Sequence, residues 1–176
     1  MEVNLLHGDP VAIADQAFLF KRAVRETALR HKMYASFMAK PMEKEPGSAM
    51  HIHQSVISAK TRANIFSDTN GEASALFYAY IGGLQRFLPA SLSLLAPNVN
   101  SYRRLIRYHA APINVQWGLD NRTVGLRVPD SGRESRRVEN RVPGADANPY
   151  LAIAASLACG LLGMQQKLDP SAPVTA

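Results

Sequence analysis

The 176-residue sequence predicts an α+β fold in preference to a doubly wound α/β one. Three observations carry that expectation. Two long segments rich in apolar residues each open with an acceptor–proline pair, Asp9-Pro10 and Asn148-Pro149. Short alternating segments bounded by Pro, Gly, Asp or Asn gather between residues 113 and 142. Helical and extended segments do not alternate regularly along the chain, as βαβ units would require.

The elements follow in order. Asp9 can accept from the unpaired N–H groups of a first helical turn, and Pro10 suits the first helical position, where its missing N–H is not needed. Ile13, Ala17, Phe20, Val24 and Ala28 recur at helical spacing, which predicts a helix to about His31. Tyr34 to Met38 is short and apolar and reads as a strand. Pro41 to Gly47 is a polar loop. Met50 to Val56 alternates, with His51, His53 and Ser55 on one face and Met50, Ile52 and Val56 near the other. Asp68-Thr69-Asn70-Gly71 is turn chemistry. Glu72 to Leu88 predicts a helix stopped at Pro89, and a second short helix reaches Leu95 before Pro97. Ile113 to Gly118, Thr123 to Val128 and Arg137 to Val142 read as strands. Asn148-Pro149 opens a last helix to about Lys167, and Asp169 to Ala176 is a proline-containing tail. No internal repeat or low-complexity block is present.

Composition excludes several classes. Hydrophobic residues make up 47%, too many for a disordered tail. A single cysteine, Cys159, excludes a disulfide scaffold and suits a reducing cytosol. The N-terminus shows no basic region followed by an apolar one, so no signal peptide is expected. The most apolar run, Tyr150 to Met164, would span roughly 22 Å as a helix, short of a roughly 30 Å hydrocarbon core. A soluble, cytoplasmic protein with no membrane partner is expected. The net charge is +6, and its placement is uneven. Of 14 arginines, nine lie between Arg103 and Arg141, against four acids, while the whole chain has only six lysines. Arginine grips phosphate and carboxylate with a planar fork, whereas a solvated basic face normally uses more lysine. Nucleic acid is not the expected partner, because aromatics are sparse (7%) and do not interleave with the arginines.

Three groups of residues carry candidate chemistry. His51 and His53 share a strand face, which suits either a metal ligand beside a ligand contact or simply two structural histidines. Arg137, Glu139 and Arg141 share another face. A carboxylate flanked by guanidiniums stays ionised, as a hard-metal ligand beside an anionic substrate must; ordinary surface ion pairs would read the same way. Arg122 and Arg127, with Arg103 and Arg104 upstream, could converge on phosphate and carboxylate groups, the usual electrostatic device for phosphoryl transfer. No Walker-type glycine loop or kinase signature is present.

Five ordered blocks then resemble one family. Pro46-Gly47-Ser48-Ala49-Met50-His51-Ile52-His53-Gln54-Ser55 resembles the glutamine synthetase signature Asn-Gly-Ser-Gly-Met-His-x-His-x-Ser. Asn100 to Leu105 is similar to its Asn-Ser-Tyr-Lys-Arg-Leu segment. Asn121-Arg122-Thr123 with Arg127-Val128-Pro129 resembles its Asn-Arg-Ser and Ile-Arg-Ile-Pro strand. Arg137-Val138-Glu139-Asn140-Arg141 and Ala147-Asn148-Pro149-Tyr150-Leu151 match its last blocks. The resemblance runs from Glu2 to about residue 170. It implies part of a catalytic domain built on an antiparallel-rich curved sheet with flanking helices.

The resemblance also implies roles. Glu2 matches the last carboxylate of a first metal site, and His51 and Glu139 match ligands of a second, for Mg2+ or Mn2+. His53 and Ser55 match nucleotide contacts. Arg122, Arg127 and Arg137 match arginines on the ATP phosphates and the transferring phosphoryl group, with Arg122 and Arg127 in the catalytic role. Arg104 and Arg141, beside Gly47, match the clamp on the glutamate carboxylates. The family reaction is phosphorylation of the glutamate γ-carboxylate followed by attack of an amine on the acyl phosphate.

Three departures mark this sequence. Pro46 and Ala49 replace a family asparagine and glycine, and Ala110 stands where a flap glutamate binds and deprotonates ammonium. Loss of that carboxylate leaves room for a larger amine. This resembles the γ-glutamylpolyamine (γ-glutamylputrescine) synthetase branch, as do Met38-Ala39-Lys40-Pro41 and Gly144-Ala145-Asp146-Ala147-Asn148-Pro149. The implied partners are ATP, glutamate and a polyamine or ammonia, in a ring-shaped homo-oligomer. Glutamine synthetase proper and an inactive basic binding fragment are the competing expectations. Against the family pattern, residues 1–176 read as one partial catalytic domain, without the β-grasp-like N-terminal domain, the paired Glu-x-Glu ligands and the C-terminal end. With one ligand at the first metal site, the piece alone is expected to be inactive.

Overall fold

A computed structural model describes residues 2–106 and 111–175. Helix α1 (Pro10–Arg30) starts as the sequence predicts, with Asp9 accepting from the amides of Val11 and Ala12. Strand β1 (Ile52–Gln54) is followed by α2 (Ala75–Phe87), a 3-10 turn (Leu88–Ser91), α3 (Leu92–Leu95) and α4 (Val99–Arg104). Then come β2 (Trp117–Leu119), β3 (Leu126–Val128), a 3-10 turn (Arg133–Ser135), β4 (Val138–Asn140) and α5 (Pro149–Gln166). Asn148 caps α5 by accepting from Tyr150 and Leu151, and Lys167 ends it in the left-handed region. Among the described residues no helix is long and apolar enough to cross a membrane.

The four strands form one sheet in the order β1-β4-β3-β2. The pairings β1·β4 and β3·β4 are antiparallel and β2·β3 is parallel. The fold is α+β: one mixed sheet with helices packed against it. Strand alternation separates two functions. Leu126, Val128 and Val138 enter the core with Phe66, Phe77, Tyr80 and Leu84. Arg127 and Glu139, one position along, pair across β3 and β4 on the opposite face, in register with His53 of β1.

Two polar residues on the core face tie the sheet to the helices. Gln54 accepts a hydrogen bond from the Tyr80 hydroxyl of α2 at 2.7 Å, and Asn140 donates to Ser156 of α5 at 3.0 Å. Buried at 5% and 0% exposure, both amides need such partners. Helices α2 and α5 pack at very close range. A Cβ on Gly83 would lie 2.6 Å from the Gly163 Cα, and one on Gly163 would lie 2.5 Å from the Gly83 Cα. A Cβ on Gly160 would overlap the Tyr80 ring.

Several expected boundaries move. Tyr34 to Met38 is not a strand; Phe37 instead packs against α1, edge-on to Phe20 at 6.2 Å and beneath the Arg25 guanidinium at 5.0 Å. Side-chain contacts to a helix take the place of a ladder there. Pro89 ends α2 without ending the helical path, because it sits at the start of the 3-10 turn where no N–H is required. Helix α4 is an addition, closed by a capping box in which Asn98 and Ser101 exchange bonds. Each strand is three residues long, shorter than the sequence pattern suggests. Residues 171–174 lie along β2: the Trp117 indole donates to the Ser171 carbonyl at 2.7 Å, and the Val174 amide donates to the Trp117 carbonyl at 2.8 Å.

Candidate active site

The site is built around Glu139. Its carboxylate is 3% exposed and lies in the middle of the sheet face. One oxygen, Oε1, accepts from Arg141 at 2.8 Å and faces His51 Nδ1 at 3.0 Å. The other, Oε2, accepts from Arg127 at 2.9 Å. His53 Nε2 stands 4.0 Å away. Burial alone would raise the Glu139 carboxyl, but hydrogen bonds from His51 and Arg127 and the Arg141 charge outweigh it. The group is held well below the usual carboxylate range and stays ionised.

His53 behaves oppositely. Burial, with the charges of Arg137 and Arg127, lowers its pKa despite the nearby Glu139 carboxylate. Arg137 Nε donates to His53 Nδ1 at 3.2 Å, which fixes the neutral tautomer with its proton on Nε2. Arg127 bridges two carboxylates. It donates from NH1 to Glu139, and from Nε (3.1 Å) and NH2 (2.5 Å) to Asp120 Oδ1. Burial acts to lower its pKa, and the two carboxylates reverse that, so the guanidinium is fixed as a cation.

A cavity of about 120 Å³ adjoins this cluster, lined by Gly47, Ala49, His51, Arg104, Ala111 and Arg141. Arg104, the last residue of α4, is 3% exposed. It donates to the carbonyls of Val142 and Arg141 at 2.8 and 2.9 Å. Burial and the neighbouring Arg141 charge push its pKa down to about 10. Among the described residues the Arg141 guanidinium keeps one buried N–H, at Nε, without a partner. Gly47 is required here by close approach, since a Cβ would lie 2.5 Å from the Ala39 carbonyl oxygen and 2.9 Å from Arg104 Cγ.

The structure therefore brings together His51, His53, Arg127, Arg137, Glu139 and Arg141, with Arg104 and Gly47 at the cavity. Three other candidate residues make no hydrogen bond or ion pair with it among the described residues. Glu2 is exposed near the start of the chain, Arg122 is exposed on the turn after β2, and Ser55 is exposed just beyond β1. Ala110, where the amine preference was read, lies outside the described residues. Two arginines of the basic cluster have structural duties: Arg136 bonds Ser67 and the Gly71 carbonyl, and Arg133 bonds the Thr69 carbonyl. Sequence reasoning counted Asp120 only as an acid. The signal that could have found it is a turn former directly after a strand and directly before Asn121-Arg122.

His51 and Glu139 fit part of a hard-cation site. Adjacent ligands of an octahedral ion with bonds of about 2.1 Å lie about 3.0 Å apart. His51 Nδ1 and Glu139 Oε1 stand at 3.0 Å. Among the described residues no group of three or more His, Cys, Asp or Glu side chains is placed to hold a metal alone. An ion here would need further oxygens from ligand or water.

A parallel-and-antiparallel sheet thus carries a buried carboxylate amid guanidiniums, next to an arginine-lined cavity. The chain belongs to the glutamine synthetase family: the description "Glutamine synthetase, catalytic domain" matches residues 1–176. It is 49% identical over 168 residues to gamma-glutamylputrescine synthetase of Escherichia coli (strain K12), covering 95% of this chain and 35% of that protein. It is 40% identical over 174 residues to glutamate–isopropylamine ligase of Pseudomonas sp, covering 98% and 38%. A glutamine synthetase of Pyrococcus horikoshii is 39% identical over 173 residues, covering 98% and 38%. The chain thus spans little more than a third of the length of these relatives.

Proposed function

We propose that the chain carries the nucleotide- and glutamate-gripping part of an ATP-dependent ligase, which phosphorylates the glutamate γ-carboxylate and joins it to a polyamine such as putrescine. The observation that carries this reading is the Arg141 guanidinium. It holds the Glu139 carboxylate with one nitrogen and, with the buried Arg104, lines one cavity. Two guanidiniums lining one cavity favour an anionic group such as a carboxylate there. Gly47 keeps the cavity wall free of a side chain.

Arg127, Arg137 and, from its turn, Arg122 supply donors for the phosphates. Arg127 is pre-oriented by its two carboxylates, so its charge needs no reorganisation as negative charge spreads over the transferring phosphoryl oxygens. His53, neutral, can donate its Nε2–H without adding charge, with Ser55 beyond it on the nucleotide side. His51 and Glu139 would hold Mg2+ or Mn2+, with Glu2 contributing to a separate ion. Such ions offset phosphate charge. The γ-carboxylate then attacks the γ-phosphoryl group with release of ADP, and the amine displaces phosphate from the acyl phosphate.

The amine is read from Ala110 and from two relatives whose names join glutamate to an alkylamine. The test is ADP release by the full-length protein with glutamate plus putrescine, spermidine or ammonia. Higher kcat/KM for putrescine or spermidine supports the reading, and preference for ammonia returns it to glutamine synthetase proper. Cytoplasmic location and a ring-shaped homo-oligomer belong to the same proposal.

A further inference from the structure

We propose that Asp120 is a positioning residue, which fixes the Arg127 guanidinium for phosphate contact; this rests on the phosphate role proposed for Arg127. The argument begins with the backbone. Asp120 directly follows β2 and has φ +45°, a conformation that costs most residues but is tolerated by Asp, Asn and Gly. Its amide donates to the Val128 carbonyl at 2.8 Å, so the turn is latched to the end of β3. The next residue, Asn121, is 2% exposed and locked on both sides. Its Oδ1 accepts from the Thr123 amide and hydroxyl at 2.8 and 2.7 Å, and its Nδ2 donates to the Val174 carbonyl at 3.2 Å.

This rigid turn holds a single acceptor atom, Asp120 Oδ1, over two adjacent nitrogens of Arg127. Glu139 holds the third nitrogen from the other side. Of five guanidinium N–H bonds, three are then committed, and the two left lie on NH1 and NH2. Asp120 thereby selects which donors Arg127 presents. The contact is not a source of global stability, because the Asp120 side chain is 63% exposed and such pairs contribute little. A left-handed turn whose side chain adds little stability, beside a charge-gripping arginine, is the pattern expected of a site device.

The test compares Asp120→Gly and Asp120→Asn in the full-length protein. Both accept φ +45°, so both keep the turn, while only Asn keeps an oxygen at the Oδ1 position. The expected result for Asp120→Gly is a kcat lower by about tenfold and an ATP KM raised about fivefold, with glutamate KM changed less than about twofold and melting temperature unchanged. Asp120→Asn recovers at least about threefold of the lost kcat. Affinity for ADP with Mg2+, measured by calorimetry, falls for Asp120→Gly whether or not the parent turns over. Parent-like kinetics and ADP affinity in Asp120→Gly overturn the inference, as does Asp120→Asn falling as far as Asp120→Gly. A parent that binds ADP and shows no ligation with any amine overturns the proposed function instead, and the ADP affinities still decide the role of Asp120. A parent that binds no nucleotide overturns both.

Discussion

Glu139 carries the most consequence of any single residue. Two guanidiniums depend on it, Arg127 at 15% and Arg141 at 9% exposure. Removing one partner of a buried ion pair costs about 3–5 kcal/mol, because the other charge stays buried. Glu139→Ala should lose that much in urea unfolding, and Glu139→Gln somewhat less, since an amide oxygen still accepts. The same carboxyl predicts a pH dependence. Its folded pKa lies below the unfolded value of about 4.3, so the stabilisation is complete above that pH and is lost as pH falls further. Urea midpoints measured from pH 7 to pH 3 should drop for the parent and drop less for Glu139→Gln. At this scale the sequence was informative. Strand alternation alone put Arg137, Glu139 and Arg141 on one face and His51 and His53 on another, and register then merged the two faces. Asp120 escaped because its role depends on a positive φ and on the neighbouring strand, neither of which its own residue type announces.

Between elements, the α2–α5 contact sets the tightest constraint. Gly83 faces Gly163 with no space for a methyl group on either. Gly163→Ala should destabilise by about 1–3 kcal/mol by overpacking, seen as a lower melting temperature, even though Ala is the better helix former. Helix ends were legible because capping chemistry is local: Asp9-Pro10 and Asn148-Pro149 both start helices as read. Strand identity was less so. A three-residue strand exists only through its ladder partner, and Tyr34 to Met38 has an apolar pattern with a helix, not a strand, as its neighbour. Helix α4 was hidden because its six residues are set by the Asn98–Ser101 box and by Asp146, which accepts from Ser101 at 2.5 Å across 45 residues.

For the molecule as a whole, the local excess of arginine now divides into parts. Arg104, Arg127, Arg137 and Arg141 surround the site, whereas Arg133 and Arg136 tether loops. Anionic ligands should therefore stabilise the fold by mass action. Saturation at 100 times Kd corresponds to about 2.7 kcal/mol, and thermal shift with ADP and Mg2+ should show it, while chloride at equal ionic strength should not. The 176-residue chain by itself should release no ADP with glutamate and putrescine, because among the described residues no group of three or more His, Cys, Asp or Glu is placed to hold a hard cation. Added ADP release by that chain above a no-enzyme blank would count against the metal roles proposed here.

The four-way contact at Glu139 also limits how this site can change through descent. A lineage that loses the carboxylate first strands Arg141 and leaves Arg127 with Asp120 alone, and one that loses an arginine first leaves the acid still held by the other arginine and by His51. Drift away from activity should thus begin at the guanidiniums and reach the acid last. Relics of such domains are expected to keep the glutamate after the arginines have gone.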